Sequence, residues 1–220
     1  MRNLAARQGD SAPMNRKTWA ATAFTFVLGV LSFGCQSGGI GDPCVPEDEY
    51  QKYFSGYAVT EVNLESRSFQ CETRLCLVNH FQGRVTCPYG QTETEAKDTA
   101  IPAEREGQLC HIPGTSGPEN RIGVAVNKQF NKRLATNSVY CSCRCDGPDP
   151  NARYCKCPTG FQCVKLLDLV TRLRSTELAG NYCIKDGTEF INGTTDPGHA
   201  CQVTDPAVSP PGECGNYDGT

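Results

Sequence analysis

Apolar residues along the 220-residue chain fall into a few short runs separated by long polar stretches. The first run, Trp19 to Phe33, is broken only by Thr22, Thr25, Gly29 and Ser32, follows Arg16 and Lys17, and ends at Gly34 and Cys35. A basic start, a short apolar core and a small residue at its end are the layout of an export signal. At about 15 residues the apolar core is too short to span a bilayer comfortably. Met1 to Pro13 is polar, and Met1 and Met14 are the only methionines, so Met14 is the expected start.

Beyond this segment the pattern favours strands. Tyr57 to Glu65 is rich in strand formers, with Val62 and Leu64 alternating against Glu61 and Asn63. Arg74–Asn79 reads as a buried strand and Gly83–Cys87 as a third. Ile122–Val126 makes a fourth, weakened by the internal Gly123. Gln91 to Gly107 is polar and charged, and predicts a surface loop, a short solvated helix or a linker between subdomains. Val164 to Leu178 carries Leu166, Val170 and Leu173 at i, i+4, i+7, which fits a helix; a strand followed by a loop fits equally well. The tail from Gln202 holds Pro206, Pro210, Pro211 and Gly212 and predicts irregular backbone. The expected class is a small, mainly β, disulfide-rich fold of short antiparallel strands and hairpins with long irregular loops and one short helix near 164–178.

Cysteine content changes the picture most. The chain has 15 cysteines with 38% hydrophobic and 20% charged residues, which points to a secreted, globular, disulfide-bearing protein. Fifteen is odd, and a leftover cysteine in an exported chain needs an explanation. Setting Cys35 aside leaves Cys44, Cys71, Cys76, Cys87, Cys110, Cys141, Cys143, Cys145, Cys155, Cys157, Cys163, Cys183, Cys201 and Cys214, enough for seven bridges. Seven pairs admit on the order of 10⁵ connectivities, so sequence does not assign them. Cys201 and Cys214 are placed to pin the tail, for instance to each other. The densest stretch is Tyr140-Cys-Ser-Cys-Arg-Cys145, the turn-rich Asp146 to Arg153, and Tyr154-Cys-Lys-Cys157 to Cys163. On a strand Cys141, Cys143 and Cys145 share one face. Cysteines two apart bridge each other poorly, so each is expected to reach a different neighbouring segment, making this hairpin a hub.

The junction Leu31 to Cys35 resembles the lipobox of bacterial lipoproteins, in which the cysteine becomes an acylated mature N-terminus. Ser32 and Phe33 depart from the family's preferred residues, and Ser32 with Gly34 also suits ordinary signal peptidase. The resemblance implies Cys35 as the lipid attachment site, Gln36 to Asp42 as a flexible tether, and residues 44–220 as the ectodomain. It also implies a membrane as partner, through the lipid. Losing Met1 to Gly34 removes four basic residues and one acid, taking the formal charge from −3 to −6. Such an ectodomain would rely on its anchor to stay at a membrane. Cys155-Lys-Cys157 through Gly160-Phe161 to Cys163 resembles the closing half of EGF-like modules, although Cys163 follows Phe161 sooner than in that family. Taken whole, the chain resembles cysteine-rich lipoproteins of unassigned function found in myxobacteria. The likeness rests on the signal plus Cys35, Gly41-Asp-Pro-Cys44, Phe69-Gln-Cys71 through Cys87-Pro-Tyr-Gly90, and the Tyr140–Cys145 cluster.

Candidate chemistry is weighed against structural roles. Cys-x-Cys-x-Cys with His111 after Cys110 could hold zinc, but an oxidising compartment favours bridges, so no metal or cofactor is expected. His80, His111 and His199 are the only histidines, and Gly114-Thr-Ser116-Gly117 lacks the Gly-x-Ser-x-Gly elbow of a serine hydrolase. Glu93 and Glu95 lie in a solvated segment, unlike a glycosidase dyad. No Cys-x-x-Cys redox motif exists. Asn127 to Arg133 places Lys128, Lys132 and Arg133 around Phe130, a patch expected to be a solvated loop. The overall acidity argues against nucleic-acid binding. Asn192-Gly-Thr194 fits a glycosylation acceptor. The expectation is a non-catalytic, lipid-anchored envelope protein, with a protein or envelope polysaccharide as its partner. The competing reading is a secreted hydrolase whose site is assembled from distant residues.

Overall fold

The structure, a computed structural model, describes residues 38–100, 109–167, 178–190 and 196–201, all within the unit Ser37–Thr220. The export segment, Cys35, Asn192, the tail from Gln202 and Cys214 lie outside the described residues.

Among the described residues, two antiparallel sheets of three strands carry the fold. The first is ordered β1 (Val62–Glu65), β2 (Leu75–Asn79), β3 (Val139–Ser142), with Leu64 opposite Leu77 and Leu77 opposite Tyr140. The second places β6 (Gly180–Lys185) between β4 (Arg144–Asp146) and β5 (Phe161–Leu167). The protein is thus a small, mainly β, disulfide-rich fold, with two short helices, α1 (Glu93–Lys97) and α2 (Ala135–Ser138), among the described residues.

Side-chain alternation divides the central strand between two cores. Cys76 and Val78 of β2 join Val139 and Cys141 of β3 in a cluster with Val45, Tyr57, Phe81 and Val85. Leu77 and Tyr140 point the other way, onto Ile184 of β6 and the partly buried Phe161, Val164 and Leu166 of β5. The second cluster is therefore the seam between the sheets, and because β2 is buried on both faces its sequence is a continuous apolar run rather than an alternating one. Tyr140 fixes the seam further. Its ring meets Phe161 edge-on at 5.8 Å, and its hydroxyl accepts the Lys185 amide at 3.0 Å. A third cluster of Cys87, Cys110, Ile122 and Val126 sits in the loops between β2 and α2.

Several expected elements take another form. In Tyr57–Glu65 the strand is confined to Val62–Glu65, because Ala58 to Glu61 closes a turn in which the Glu61 carboxylate accepts the Ala58 amide at 2.9 Å. Gly83–Cys87 is a tight turn, not a strand. Gly83 bridges the Tyr57 main chain, but the turn beyond it is held by side chains: Val85 and Thr86 donate to Glu49, and Gln129 donates to the carbonyls of Arg84 and Val85. Ile122–Val126 likewise forms no strand: Val126 makes an isolated antiparallel bridge to Gln91, the Ile122 amide donates to Cys110 O, and Gln91 Nε2 donates to the carbonyls of Ile122 (2.7 Å) and Val124 (2.8 Å). A buried backbone must be satisfied, and here side chains share that task with isolated main-chain bridges. Helix 164–178 is replaced at its start by β5, which runs to Leu167; residues 168–177 lie outside the described residues. The polar segment does contain a solvated helix, α1, started by a capping box between Thr92 and Glu95 and braced by a Lys97–Glu93 ion pair.

Candidate functional site

The cysteine-dense centre is where the two sheets exchange the chain. β3 ends at Ser142 and β4 begins at Arg144, so Cys141, Cys143 and Cys145 do not share the face of one strand. Cys143 sits at the step, and its carbonyl accepts the Cys183 amide of β6 at 3.1 Å. The bridges run outward from this step. Cys141 pairs with Cys71, Cys145 with Cys163 on β5, and Cys157 with Cys183 on β6. Cys143–Cys155, like Cys145–Cys163, ties the two arms of the hairpin to each other. Cys44–Cys76 and Cys87–Cys110 complete the six bridges among the described residues.

The sulfurs crowd together. Cys143 Sγ lies 3.6 Å from Cys183 Sγ, and Cys155 Sγ 3.8 Å from it, although these belong to different bridges. Cys44, Cys71 and Cys141 form one triad of converging sulfurs, Cys143, Cys155 and Cys183 a second, and Cys145, Cys157 and Cys163 a third. Every one of these sulfurs is bridged. A disulfide sulfur lacks the thiolate charge with which cysteine holds zinc, so the convergence is covalent bracing in this oxidation state. Cys201 is also disulfide-bonded.

The segment expected as a tether is instead built into the fold from Gly38 onward. Gly38 makes a parallel bridge to Cys71, its amide donating to Gln70 O at 2.7 Å while its carbonyl accepts from Glu72 at 2.9 Å. Gly41 N donates to Cys141 O, and Cys141 N to Asp42 O, both at 2.8 Å, and Pro43 bridges Tyr140. Gly41 has φ +96, and a Cβ there would come within 2.6 Å of the Phe161 ring, so only glycine fits. Residues 41–43 thus lie along the free side of β3, while Gly38 lies along Gln70–Glu72. Beside Gln70, Phe69 stands 81% exposed with the guanidinium of Arg74 stacked 4.2 Å from its ring centre. Tyr50 and Tyr53 are also exposed.

The residues weighed for catalysis are held by local structure. His80 follows β2 at φ 50. Its Nδ1 lies 3.0 Å from Val59 O, its ring stacks on Phe190, and burial lowers its pKa. His111 Nδ1 is 3.0 Å from Leu109 O, and the His199 amide donates to Asn131. Ser116 is exposed, and its carbonyl accepts from Asn120. Glu93 pairs with Lys97, and Glu95 caps α1. The Asn127–Arg133 stretch is not a solvated basic patch. Gln129 and Arg133 are buried, with Arg133 donating to the carbonyls of Asn79 (2.5 Å), Thr188 (2.7 Å) and His80 (3.0 Å). Lys132 pairs with Asp196 at 3.1 Å.

Sequence reasoning missed the buried polar residues that organise the loops. Glu49 lies in a run that reads as an acidic surface turn, yet it is fully buried beside Arg84. Its carboxylate accepts from Val85, Thr86 N (3.3 Å) and Thr86 Oγ1 (3.2 Å), and burial raises its pKa. Arg84 donates to the main-chain carbonyls of Glu49 and Phe54. No local signal marks these residues, since each partner lies some 30 or more positions away. Against family models, curated proteins and solved structures alike, the chain finds no match, so its function has to be argued from its own residues.

Proposed function

We propose that this chain is an exported envelope lipoprotein, anchored through acylated Cys35, whose bridged β ectodomain has a binding or structural role rather than a catalytic one. The observation that carries this reading is the fate of the sulfurs. Twelve cysteines pair with one another and Cys201 is bridged as well, which leaves Cys35 and Cys214. One of these two is the partner of Cys201 and the other is the odd cysteine. Cys35, directly behind the apolar export segment and in a lipobox-like setting, is the one with a chemical reason to stay out of the pairing. The resemblance to cysteine-rich myxobacterial lipoproteins points the same way. The bridges suit an oxidising compartment. A role without catalysis is supported by how the ionisable groups are used: His80, His111 and the Glu49 carboxylate all engage nearby backbone.

Phase partition in a cloud-point detergent tests the anchor. The full chain, expressed with its own signal in a lipidating host, should enter the detergent phase, and Cys35→Ser should return it to the aqueous phase. Unchanged partition overturns the reading. A panel of ester, peptide and glycoside substrates should remain unturned; turnover abolished by substituting one histidine would establish a hydrolase instead.

A further inference from the structure

We propose that the turn carrying Phe69 is the face the ectodomain lays against the bilayer, with Phe69 seated in the headgroup region. The inference rests on the lipid anchor above and adds an orientation to it. Only Gln36 and Ser37 separate Cys35 from Gly38. Three residue spacings reach at most about 11 Å even when fully extended. Gly38 is not at the end of a loose leader, because its amide and carbonyl are bonded to Gln70 and Glu72. An acylated cysteine therefore holds the Gln70 turn within about 11 Å of the lipid-bearing residue.

The direction of the chain agrees. The Gly38–Cys71 bridge is parallel, so at Gly38 the chain runs in the same direction as at Cys71, with Gln70 and Phe69 on the N-terminal side of that bridge. Phe69 adjoins Gln70, the very residue that accepts the Gly38 amide, and its 81% exposure is unexplained by packing. An aromatic ring of this kind gains free energy at a bilayer interface, where its apolar body leaves water. Arg74, stacked on the ring, and the exposed Arg67 can meet lipid phosphates. Glu72 on the same turn offsets part of that charge, so the face suits a zwitterionic surface and depends on the acyl chains for affinity.

The chain's single tryptophan, Trp19, lies in the export segment, so Phe69→Trp gives the mature protein one reporter. The lipidated full-length variant is bound to phosphatidylcholine vesicles with brominated acyl chains, and intact mass records the acylation. The indole at position 69 should shift to the blue and lose most of its emission, whereas an indole introduced by Tyr53→Trp should stay bright. With acylation present, an unquenched position 69 overturns the proposal and leaves Phe69 to a protein partner or a second copy. Equal quenching at both positions overturns it as well, by showing adhesion without orientation. A mass without acyl chains removes the anchor itself, and the face falls with it. If the tryptophan variant does not fold, hydrogen exchange of the unsubstituted lipidated chain serves: vesicles should slow exchange at Phe69–Thr73, and unchanged exchange there overturns the proposal.

Discussion

Arg84 and Glu49 are buried side by side, yet each spends its side chain on the other's backbone neighbourhood. The guanidinium donates to the Glu49 carbonyl, and the carboxylate accepts the amides of Val85 and Thr86. Together they hold the turn after Gly83 that sequence reads as a strand. Glu49→Ala removes the acceptor of two amides and one hydroxyl, and should cost about 2–4 kcal/mol in urea denaturation. A loss below a few tenths of a kcal/mol would show that water replaces the carboxylate.

The same pair gives a pH signature. Burial is the largest influence on Glu49 and raises its pKa against the opposing pull of Val85, Arg84 and Thr86. The folded chain therefore holds a proton there at pH values where the unfolded chain has released it. The stability from that proton grows as pH falls from neutral through the folded-state value, and levels off below the ordinary carboxylate value. Unfolding free energies for wild type and Glu49→Gln, taken across acid pH, should diverge in favour of wild type as pH drops. Parallel curves would remove Glu49 from the account.

Arg133 should behave as a structural clamp and not as a surface cation. Its guanidinium spans three carbonyls, from Asn79, His80 and Thr188, and lies over Phe190. Lysine keeps the charge but lacks the fork. Arg133→Lys should therefore lose about 2 kcal/mol, measured by equilibrium denaturation. Lys128→Ala, on the same stretch, should change stability by no more than about 0.5 kcal/mol.

Arg74 occupies left-handed backbone at φ 64, immediately before β2. Glycine tolerates that geometry and alanine does not. Arg74→Gly should be more stable than Arg74→Ala by about 1 kcal/mol, the reverse of the order found at ordinary positions. Paired thermal melts decide it, and an alanine variant equal to the glycine one would refute strain at this site.

Bridge removal should be graded by loop length. Cys71–Cys141 closes a separation of 70 residues and Cys143–Cys155 one of 12. In the chain-entropy account, the Cys71→Ala/Cys141→Ala pair should lose about 1.5 kcal/mol more than Cys143→Ala/Cys155→Ala. Equal losses would locate the stabilisation in native packing of the sulfurs instead.

Legibility followed the range of the determining contacts. β2 was readable because a strand buried on both faces leaves an uninterrupted apolar run, Leu75 to Val78. α1 was readable as a solvated segment because its cap lies within four residues, Thr92 to Glu95. Gly83–Cys87 and Ile122–Val126 misled because Glu49, Gln91 and Gln129 satisfy those backbones from afar. Central strand β6 gives only a short signal, because Gly180 and Asn181 open it and its apolar run is limited to Tyr182–Ile184. Cys141 to Cys145 looked like one strand, since nothing in alternating cysteines tells where a chain steps between sheets. The same limit hid the ordering of Gly38–Pro43, whose composition reads as linker while its hydrogen bonds go to Gln70 and Cys141.

Cys44 follows this leading stretch and is bridged to Cys76, in the middle of the first sheet. A pull on the N-terminus would peel Gly38 off the Gln70 turn and residues 41–43 off β3, and then meet a covalent bond into β2. Tension arriving from an anchor would be delivered to the buried central strand rather than to a frayed end, so the ectodomain could be tugged without being unravelled from its attachment side.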